Sequence, residues 1–498
     1  MLLALSFPKF GHPAPGWIAL APLIIAIGLP GSRASSRAPI LLGFVTGTVY
    51  FAGTLYWLVG TMRTFGDLPV AAAVGVCALL VLFLAFYVAL FGWVLGRAFI
   101  RLGPWAVWTA PFIWVGCEYL RSWIGGGFPW VLLGYSQATV PPIAQVASVG
   151  GIYLLSFVVA AVSAAGAWTA VTRTPSRWLV SSGVILAVIA IGVWGTLRIR
   201  DGRLTREGDA LRVGLVQGNI AQEDKWNPAL ARPILDRYLD LSRQALGAGA
   251  QVVIWPESST PFFLEENPML AAEIRRLAMQ SRTPFVVGSD QIERAQQNRL
   301  YNSAFLVGAD GQTRAVYRKM HLVPFGEYVP LRQLLPFVGP LVEAVSDFSP
   351  GLEPVLLPVD GHRLSVAICY EVVYPWLIRG FTLGGSELLV TITNDAWYGT
   401  TSAAYQHWEQ ATLRAVEQGR YLVRAANTGI TGIVDPYGQV IASTRLFETA
   451  VVTGDVRWHT GRTIYATIGD LIAWISLAVM AAIAFAGFRV RRATNSNF

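Results

Sequence analysis

Charge is scarce in this chain. Only 14% of its 498 residues are Asp, Glu, Lys or Arg, and 54% are hydrophobic, whereas about a quarter of an ordinary soluble domain is charged. That deficit excludes a purely soluble enzyme and puts much of the chain in lipid. Acidic residues are scarcer still in the first 200 positions, where Asp67 and Glu118 face eleven Lys or Arg. The formal net charge of +8 therefore comes from loops between apolar runs, a topology signal rather than a surface for nucleic acid. Cysteine is limited to Cys77, Cys117 and Cys369, which fit no disulfide framework, and no Cys/His spacing suggests zinc. No metal or other cofactor is expected.

What the chain does have is apolar stretches of about 20 residues, the length that crosses a bilayer. They lie near 15–30, 39–62, 70–96, 104–121, 142–171, 178–197 and 467–488. Arg33 and Arg37, Arg97 and Arg101, Arg173 and Arg177, then Arg489, Arg491 and Arg492 fall on alternate turns of this path, which marks their side as cytoplasmic. Arg63, Arg121, Arg198 and Arg200 weaken that rule without reversing it. Met1–Phe10 reads as a short extra span, giving eight in all; a signal peptide would need a small-residue cleavage site, and none follows. The expected organisation is transmembrane helices over residues 1–200, an extracytoplasmic catalytic domain over 201–465, and a last helix with a cytoplasmic tail over 466–498.

The middle segment has the mixed composition of a globular α/β domain. Short β-rich runs at Leu211–Val216, Val252–Trp255, Pro284–Gly288, Ser303–Val307, Leu364–Ile368, Leu388–Thr393 and Tyr421–Ala425 are separated by helical or loop segments, as in buried, largely parallel sheets. Ala309-Asp310-Gly311-Gln312 and Asp435-Pro436-Tyr437-Gly438 are turn sequences between strands. Three reactive side chains follow strands directly: Glu257 after Val-Val-Ile-Trp-Pro, Lys319 after Ala-Val-Tyr-Arg, and Cys369 after Leu-Ser-Val-Ala-Ile. Ligands of α/β sheets gather at the carboxyl ends of strands. A Glu, a Lys and a Cys there divide the labour of acyl transfer: the thiolate attacks a carbonyl, the carboxylate takes and returns a proton, and the ammonium stabilises the developing oxyanion. The backbone N–H of Tyr370, directly after the nucleophile, is a candidate second oxyanion donor.

Singly, each residue has a plainer reading. Cys369 could be a small buried apolar residue, Glu257 a helix cap and Lys319 a surface charge beside Arg318. The surrounding words decide otherwise. Trp255-Pro256-Glu257-Ser258, the run Tyr317-Arg318-Lys319-Met320-His321-Leu322-Val323-Pro324-Phe325-Gly326-Glu327-Tyr328-Val329-Pro330, and Ile368-Cys369-Tyr370-Glu371 resemble, in order, the glutamate, lysine and cysteine motifs of the nitrilase superfamily, and within it of the apolipoprotein N-acyltransferases. Asn394-Asp395-Ala396-Trp397-Tyr398-Gly399, Gln406-His407 and Arg424-Ala425-Ala426-Asn427-Thr428-Gly429 extend the match. In the apolar part, Glu118-Tyr119-Leu120-Arg121, Gly127-Phe128-Pro129-Trp130 and Gly134-Tyr135-Ser136-Gln137 resemble the acyltransferases in particular.

The resemblance implies a multi-span α-helical bundle joined to a nitrilase-like αββα sandwich, with Glu257, Lys319 and Cys369 as the catalytic triad. It also implies Glu327 as a second carboxylate holding Lys319, and Tyr370, Glu371 and Trp226 as supporting or substrate-binding residues. Trp226 is equally well read as an interfacial anchor. The implied partners are a phospholipid acyl donor, a diacylglyceryl-lipoprotein acceptor and the bilayer of the bacterial inner membrane, with the catalytic domain periplasmic. Glu118 and Arg121, three residues apart, are expected to form a structural ion pair. His321, His407 and His459 are expected in core or loop roles, with His407 a possible lining of the site. Mobile aromatic loops at Trp397-Tyr398 and Phe337-Val338 could gate acyl entry. The runner-up is a membrane-anchored nitrilase-type amidase using the same triad. A transporter needs ionisable groups in several spans, and only Glu118 qualifies clearly.

Overall fold

The computed structural model describes residues 1–33, 35, 37–294, 298–324, 326–328 and 347–494. The Phe337-Val338 loop lies outside them. Two compositions give two compact units: one made of Met1–Arg63, Pro69–Asp201 and the chain from Thr467 onward, the other of Thr64–Leu68 and Gly202–Ala466.

The first unit is helical because its long apolar runs leave the backbone no partner but itself in lipid. Among the described residues, four helical stretches are long and apolar enough to cross a bilayer: Ala38–Leu55, Val70–Arg121, Ala147–Val171 and Arg177–Arg206. Ala14–Gly28 and Leu471–Phe485 are shorter apolar helical stretches, and Leu2–Leu5 is a single helical turn. Helix Ala38–Leu55 lies against helix Val70–Leu102 along a seam of small residues. A Cβ on Gly43 would strike the Val88 carbonyl, and one on Gly92 the Pro39 carbonyl. With Gly47 and Gly96 four residues on, both helices show the small-xxx-small spacing that lets backbones approach in membranes.

Glu118 and Arg121 do not pair directly as expected. The segment after Arg121 folds back beside the helix and its backbone claims both charges. Glu118 Oε1 accepts from Leu133 N–H at 2.6 Å and from Trp114 Nε1–H at 3.0 Å, while Arg121 donates to the carbonyls of Phe128 and Trp130 at 2.9 and 2.7 Å. Loop groups that would otherwise be buried without partners thereby find them.

The second unit is built on two six-stranded sheets. The first contains β1 (Ala210–Gln217), β2 (Val252–Ile254), β3 (Phe285–Arg294), β4 (Asn298–Val307) and β5 (Thr313–Arg318). The second contains β6 (Leu357–Val359), β7 (His362–Ile368), β8 (Leu388–Thr393), β9 (Leu422–Ala426), β10 (Gly432–Val434) and β11 (Val440–Ser443). A last strand, β12 (Ala450–Arg457), returns to the first sheet. The strand orders are 12-1-2-3-4-5 and 11-10-9-8-7-6. In each sheet three consecutive strands run parallel, β1-β2-β3 and β7-β8-β9, and the flanking strands are antiparallel.

Parallel neighbours need helical crossovers, supplied by Ala231–Gly247, Pro268–Ser281, Pro375–Leu383 and Ser402–Gln418. The first two pack their apolar faces on the first sheet, where Leu235, Tyr238, Ile274, Trp255, Val287 and Phe305 form one core. The sheets meet where β1 lies against β9 and β4 against β7. The αββα sandwich is therefore present, and the two expected turns join β4 to β5 and β10 to β11. The carboxyl ends of β1, β2 and β3 point one way within the first sheet, as do those of β7, β8 and β9 within the second, and the candidate site gathers after β2, β5 and β7.

Candidate active site

Glu257 follows β2, Lys319 follows β5 and Cys369 follows β7. The fold brings the first two into direct contact. Lys319 is 1% exposed, and its Nζ donates to Glu327 Oε1 at 2.8 Å and to Glu257 Oε1 at 3.4 Å. Strand pairing places it, since Arg318 is in register with Ser303 and the Lys319 N–H bonds the Asn302 carbonyl at 2.8 Å. The Asn302 amide then bridges both carboxylates, donating to Glu257 Oε1 at 2.8 Å and Glu327 Oε1 at 3.0 Å. Glu257 Oε2 accepts from the Asn394 N–H and Glu327 Oε2 from the Val323 N–H, each at 2.8 Å.

Burial opposes the charge on Lys319, but Glu327, then Glu257, then Cys369 outweigh it and raise its pKa well above the ordinary lysine value. It is a fixed cation, suited to an oxyanion and not to nucleophilic attack. Cys369 is also buried. Burial, then the Glu257 charge, push its thiol well above the usual range, against the pull of Lys319. A thiol so placed needs a base to become a nucleophile, and Glu257 is the candidate for it.

Backbone strain marks Cys369 and the residue after Glu257. Cys369 sits at φ +53° and Ser258, directly after Glu257, at φ +42°. Such non-glycine conformations cost about 1–3 kcal/mol each and persist only where surroundings impose them. Around Ser258 they do. Its hydroxyl donates to Asp290 Oδ1 at 2.6 Å, Lys225 Nζ donates to the Glu257 carbonyl at 3.2 Å, and Gly288 has no Cβ because the Pro256 carbonyl occupies that place. Around Cys369, Glu371 turns back beneath the loop. Its Oε2 accepts from Ile368 N–H at 2.7 Å, and its Oε1 from Met320 N–H at 2.6 Å, His321 N–H at 3.0 Å and the Tyr317 hydroxyl at 2.8 Å. Burial pushes its carboxyl up to about 7 against these donors.

Tyr370 packs its ring edge-on to Tyr374, with centroids 5.2 Å apart. Trp226 is the expected residue not drawn in by a described contact: it is 42% exposed, with its ring 5.9 Å from that of Phe263. In the Trp397-Tyr398 turn, Trp397 stands edge-on to Phe65 at 4.9 Å. His321 packs on Tyr374 at 3.8 Å and His459 stacks on Tyr421 at 6.0 Å.

Residues 1–165 match the model of the apolipoprotein N-acyltransferase N-terminal domain, and residues 212–465 match that of the carbon-nitrogen hydrolases. The apolipoprotein N-acyltransferase of Geobacter metallireducens is 41% identical, covering 98% of this chain and 94% of its own. The chain belongs to that family. It is an acyltransferase and a membrane protein. The apolipoprotein N-acyltransferase of Shewanella oneidensis is 35% identical over 94% of this chain and 90% of its own. Among solved structures, a cysteine-to-alanine mutant of the Nesterenkonia AN1 amidase from the nitrilase superfamily is 23% identical, covering 50% of this chain and 92% of its own with a TM-score of 0.39.

For this family member, sequence reasoning overlooked four side chains that touch the site. Asn302 is one; a polar residue directly before the strand run Ser303–Val307 was the available signal. Lys225 is another, buried beside Glu257 although its Glu-Asp-Lys-Trp setting reads as solvated. Burial lowers its pKa. Asp395 and Arg424 complete a buried group with His407 behind the nucleophile. Their motifs were recognised, but no spacing in the sequence links them to Cys369.

Proposed function

We propose that this acyltransferase takes an acyl chain from a membrane phospholipid onto Cys369 and passes it to the α-amine of a lipoprotein's N-terminal diacylglyceryl-cysteine. The observation that carries this reading is the buried Lys319 held between Glu257 and Glu327 beside a buried, strained cysteine. Glu257 takes the thiol proton as the sulfur adds to the donor's ester carbonyl. Lys319 and the Tyr370 N–H receive the oxyanion. Its collapse breaks the ester C–O bond, and the departing lysophospholipid oxygen takes the proton from Glu257. The amine then adds to the thioester, Glu257 accepts its proton, and the thiolate leaves and is reprotonated. Two lipidated substrates compete for space beside one thiol, so the first product departs before the acceptor enters.

An acyl donor is held in lipid by about 0.8 kcal/mol per buried methylene. Such a substrate does not come to a soluble site, which is why the catalytic unit is tethered at both ends. The charge alternation of the loops supports a periplasmic position of that unit, on the inner membrane.

The test is mass spectrometry of the purified enzyme incubated with phospholipid, before and after adding a diacylglyceryl lipopeptide. An acyl adduct on Cys369 should build up and then discharge as lipopeptide amide, with parallel initial-rate lines. Intersecting lines with no adduct would sink the covalent route, and discharge as free fatty acid with the amine untouched would favour an amidase.

A further inference from the structure

The carbonyl oxygen of Cys369 and the N–H of Tyr370 belong to one peptide unit. That unit is planar and trans, so its two polar ends point in opposite directions. One end is the candidate oxyanion donor. The other end is held: His407 Nε2 lies 3.1 Å from the Cys369 carbonyl oxygen, and the imidazole is wholly buried.

The proton arrangement on the ring follows from its neighbours. A nitrogen facing a carbonyl must carry hydrogen, so Nε2–H donates to Cys369. On the other side, Nδ1 lies between a donor, Arg424 Nη2 at 3.0 Å, and an acceptor, Asp395 Oδ1 at 3.1 Å, and either partner leaves the hydrogen on Nε2 in place. Arg424 Nη2 also donates to Asp395 Oδ2 at 2.6 Å, and Asp395 Oδ1, 3.1 Å from Nδ1, accepts from the Thr393 hydroxyl at 3.0 Å. Burial, then the Arg424 cation, lower the pKa of His407, consistent with a neutral ring. Asp395, Arg424 and His407 therefore form a fixed hydrogen-bonded chain, with Asp395 accepting from Arg424, that ends on the peptide plane of Cys369.

We propose that His407 is a positioning residue for the oxyanion hole: by donating Nε2–H to the Cys369 carbonyl it sets the plane, and hence the aim, of the Tyr370 N–H on the opposite side. The role rests on the reading of Cys369 as the acylated nucleophile. Cys369 sits at φ +53° at the start of a short 3-10 turn, Cys369–Val373, a strained conformation that persists only where the surroundings impose it, and the His407 bond is one such restraint on the peptide that follows. The bond also polarises the amide, and a hydrogen bond accepted at C=O strengthens the one donated at N–H.

Acylation and alkylation of the same thiol separate this role from a structural one. Transfer from phospholipid passes through an oxyanion. Iodoacetamide does not: the sulfur displaces iodide at a saturated carbon and no carbonyl oxygen gains charge. Both reactions are followed at Cys369 by peptide mass spectrometry on the full-length membrane enzyme, using phosphatidylethanolamine mixed micelles as acyl donor. In His407→Leu, acylation should fall by about 10²-fold, near the lower bound for losing one oxyanion donor outright, with iodoacetamide alkylation within about threefold of wild type. His407→Gln, whose amide nitrogen reaches the place of Nε2, should recover to within about tenfold of wild type. His407→Asn, whose amide falls short of the carbonyl, should behave as the leucine variant and serves in its place should that one not fold. Equal falls in acylation and alkylation, or wild-type acylation in the leucine and asparagine variants, overturn the role of His407. A wild-type enzyme that alkylates at Cys369 and never acylates there overturns the nucleophile reading instead.

Discussion

Replacing Lys319 by methionine tests the charge balance at the heart of the site, because the ammonium serves two carboxylates at once. At 2.8 Å from Glu327 and 3.4 Å from Glu257, its attractions are worth about 6 and about 5 kcal/mol at an effective dielectric of about 20. Desolvation offsets much of this, and removing one partner of a buried pair typically costs about 3–5 kcal/mol. Methionine keeps the length of the side chain but leaves two buried carboxylates sharing the Asn302 amide. At about 2–4 °C per kcal/mol for a domain of this size, Lys319→Met should lower the apparent Tm by roughly 6–20 °C. Adding Glu327→Gln removes the surplus charge and should restore at least half of that loss. Activity should behave oppositely. Acyl-Cys369 formation should fall by about 10²–10³-fold in Lys319→Met, as for loss of one oxyanion donor, and the second substitution should not bring it back. The assay pairs scanning fluorimetry in detergent with single-turnover mass spectrometry. A double variant less stable than Lys319→Met by the full cost of Glu327→Gln alone would refute the shared-cation reasoning.

Three shorter predictions follow from other parts of the molecule. Cys369→Ala should abolish transfer and Cys369→Ser leave at most a trace, since a hydroxyl gives up its proton far less readily than a thiol; near-normal N-acylation of lipopeptide by the alanine variant would overturn the assignment. Burial, against the Ser258 hydrogen bond, raises the Asp290 carboxyl to about 6 from an unfolded value of 3.8. The folded state therefore holds this proton more tightly, and Asp290 ionisation removes stability as pH rises from about 3.8 through about 6, on the order of 2–3 kcal/mol in all. Asp290→Asn keeps an acceptor for Ser258, so its Tm relative to wild type should rise between pH 4 and pH 7; a constant difference would refute this. A reporter fused after Phe498 should read as cytoplasmic and one inserted near Gly208 as external, whereas both on one side would mean that the count of spans is off by one.

Much of the chemistry was legible because it is written in contiguous words. Glu257, Lys319, Glu327, Cys369 and Glu371 lie in three short motifs that follow strands, and strand ends are where α/β sheets collect ligands. What the motifs do not encode is which atom meets which. Asn302 reaches both carboxylates through its register against β5, and β12 joins β1 across more than 200 residues of chain; neither pairing leaves a local periodic trace. Glu118 and Arg121 show the same limit from the other side. Their helical spacing is right for an ion pair, yet backbone groups from a later loop are the better partners. The glycines at 43, 47, 92 and 96 fell inside runs read only for hydropathy, a measure blind to how closely two helices can approach.

Glu371 accepts N–H hydrogen bonds from the loop after β5 and from the end of β7 on a single carboxylate. Cys369 and Lys319, fifty residues apart in the chain, thus share one mechanical anchor. A load on either loop is carried by both, so the spacing between them is kept.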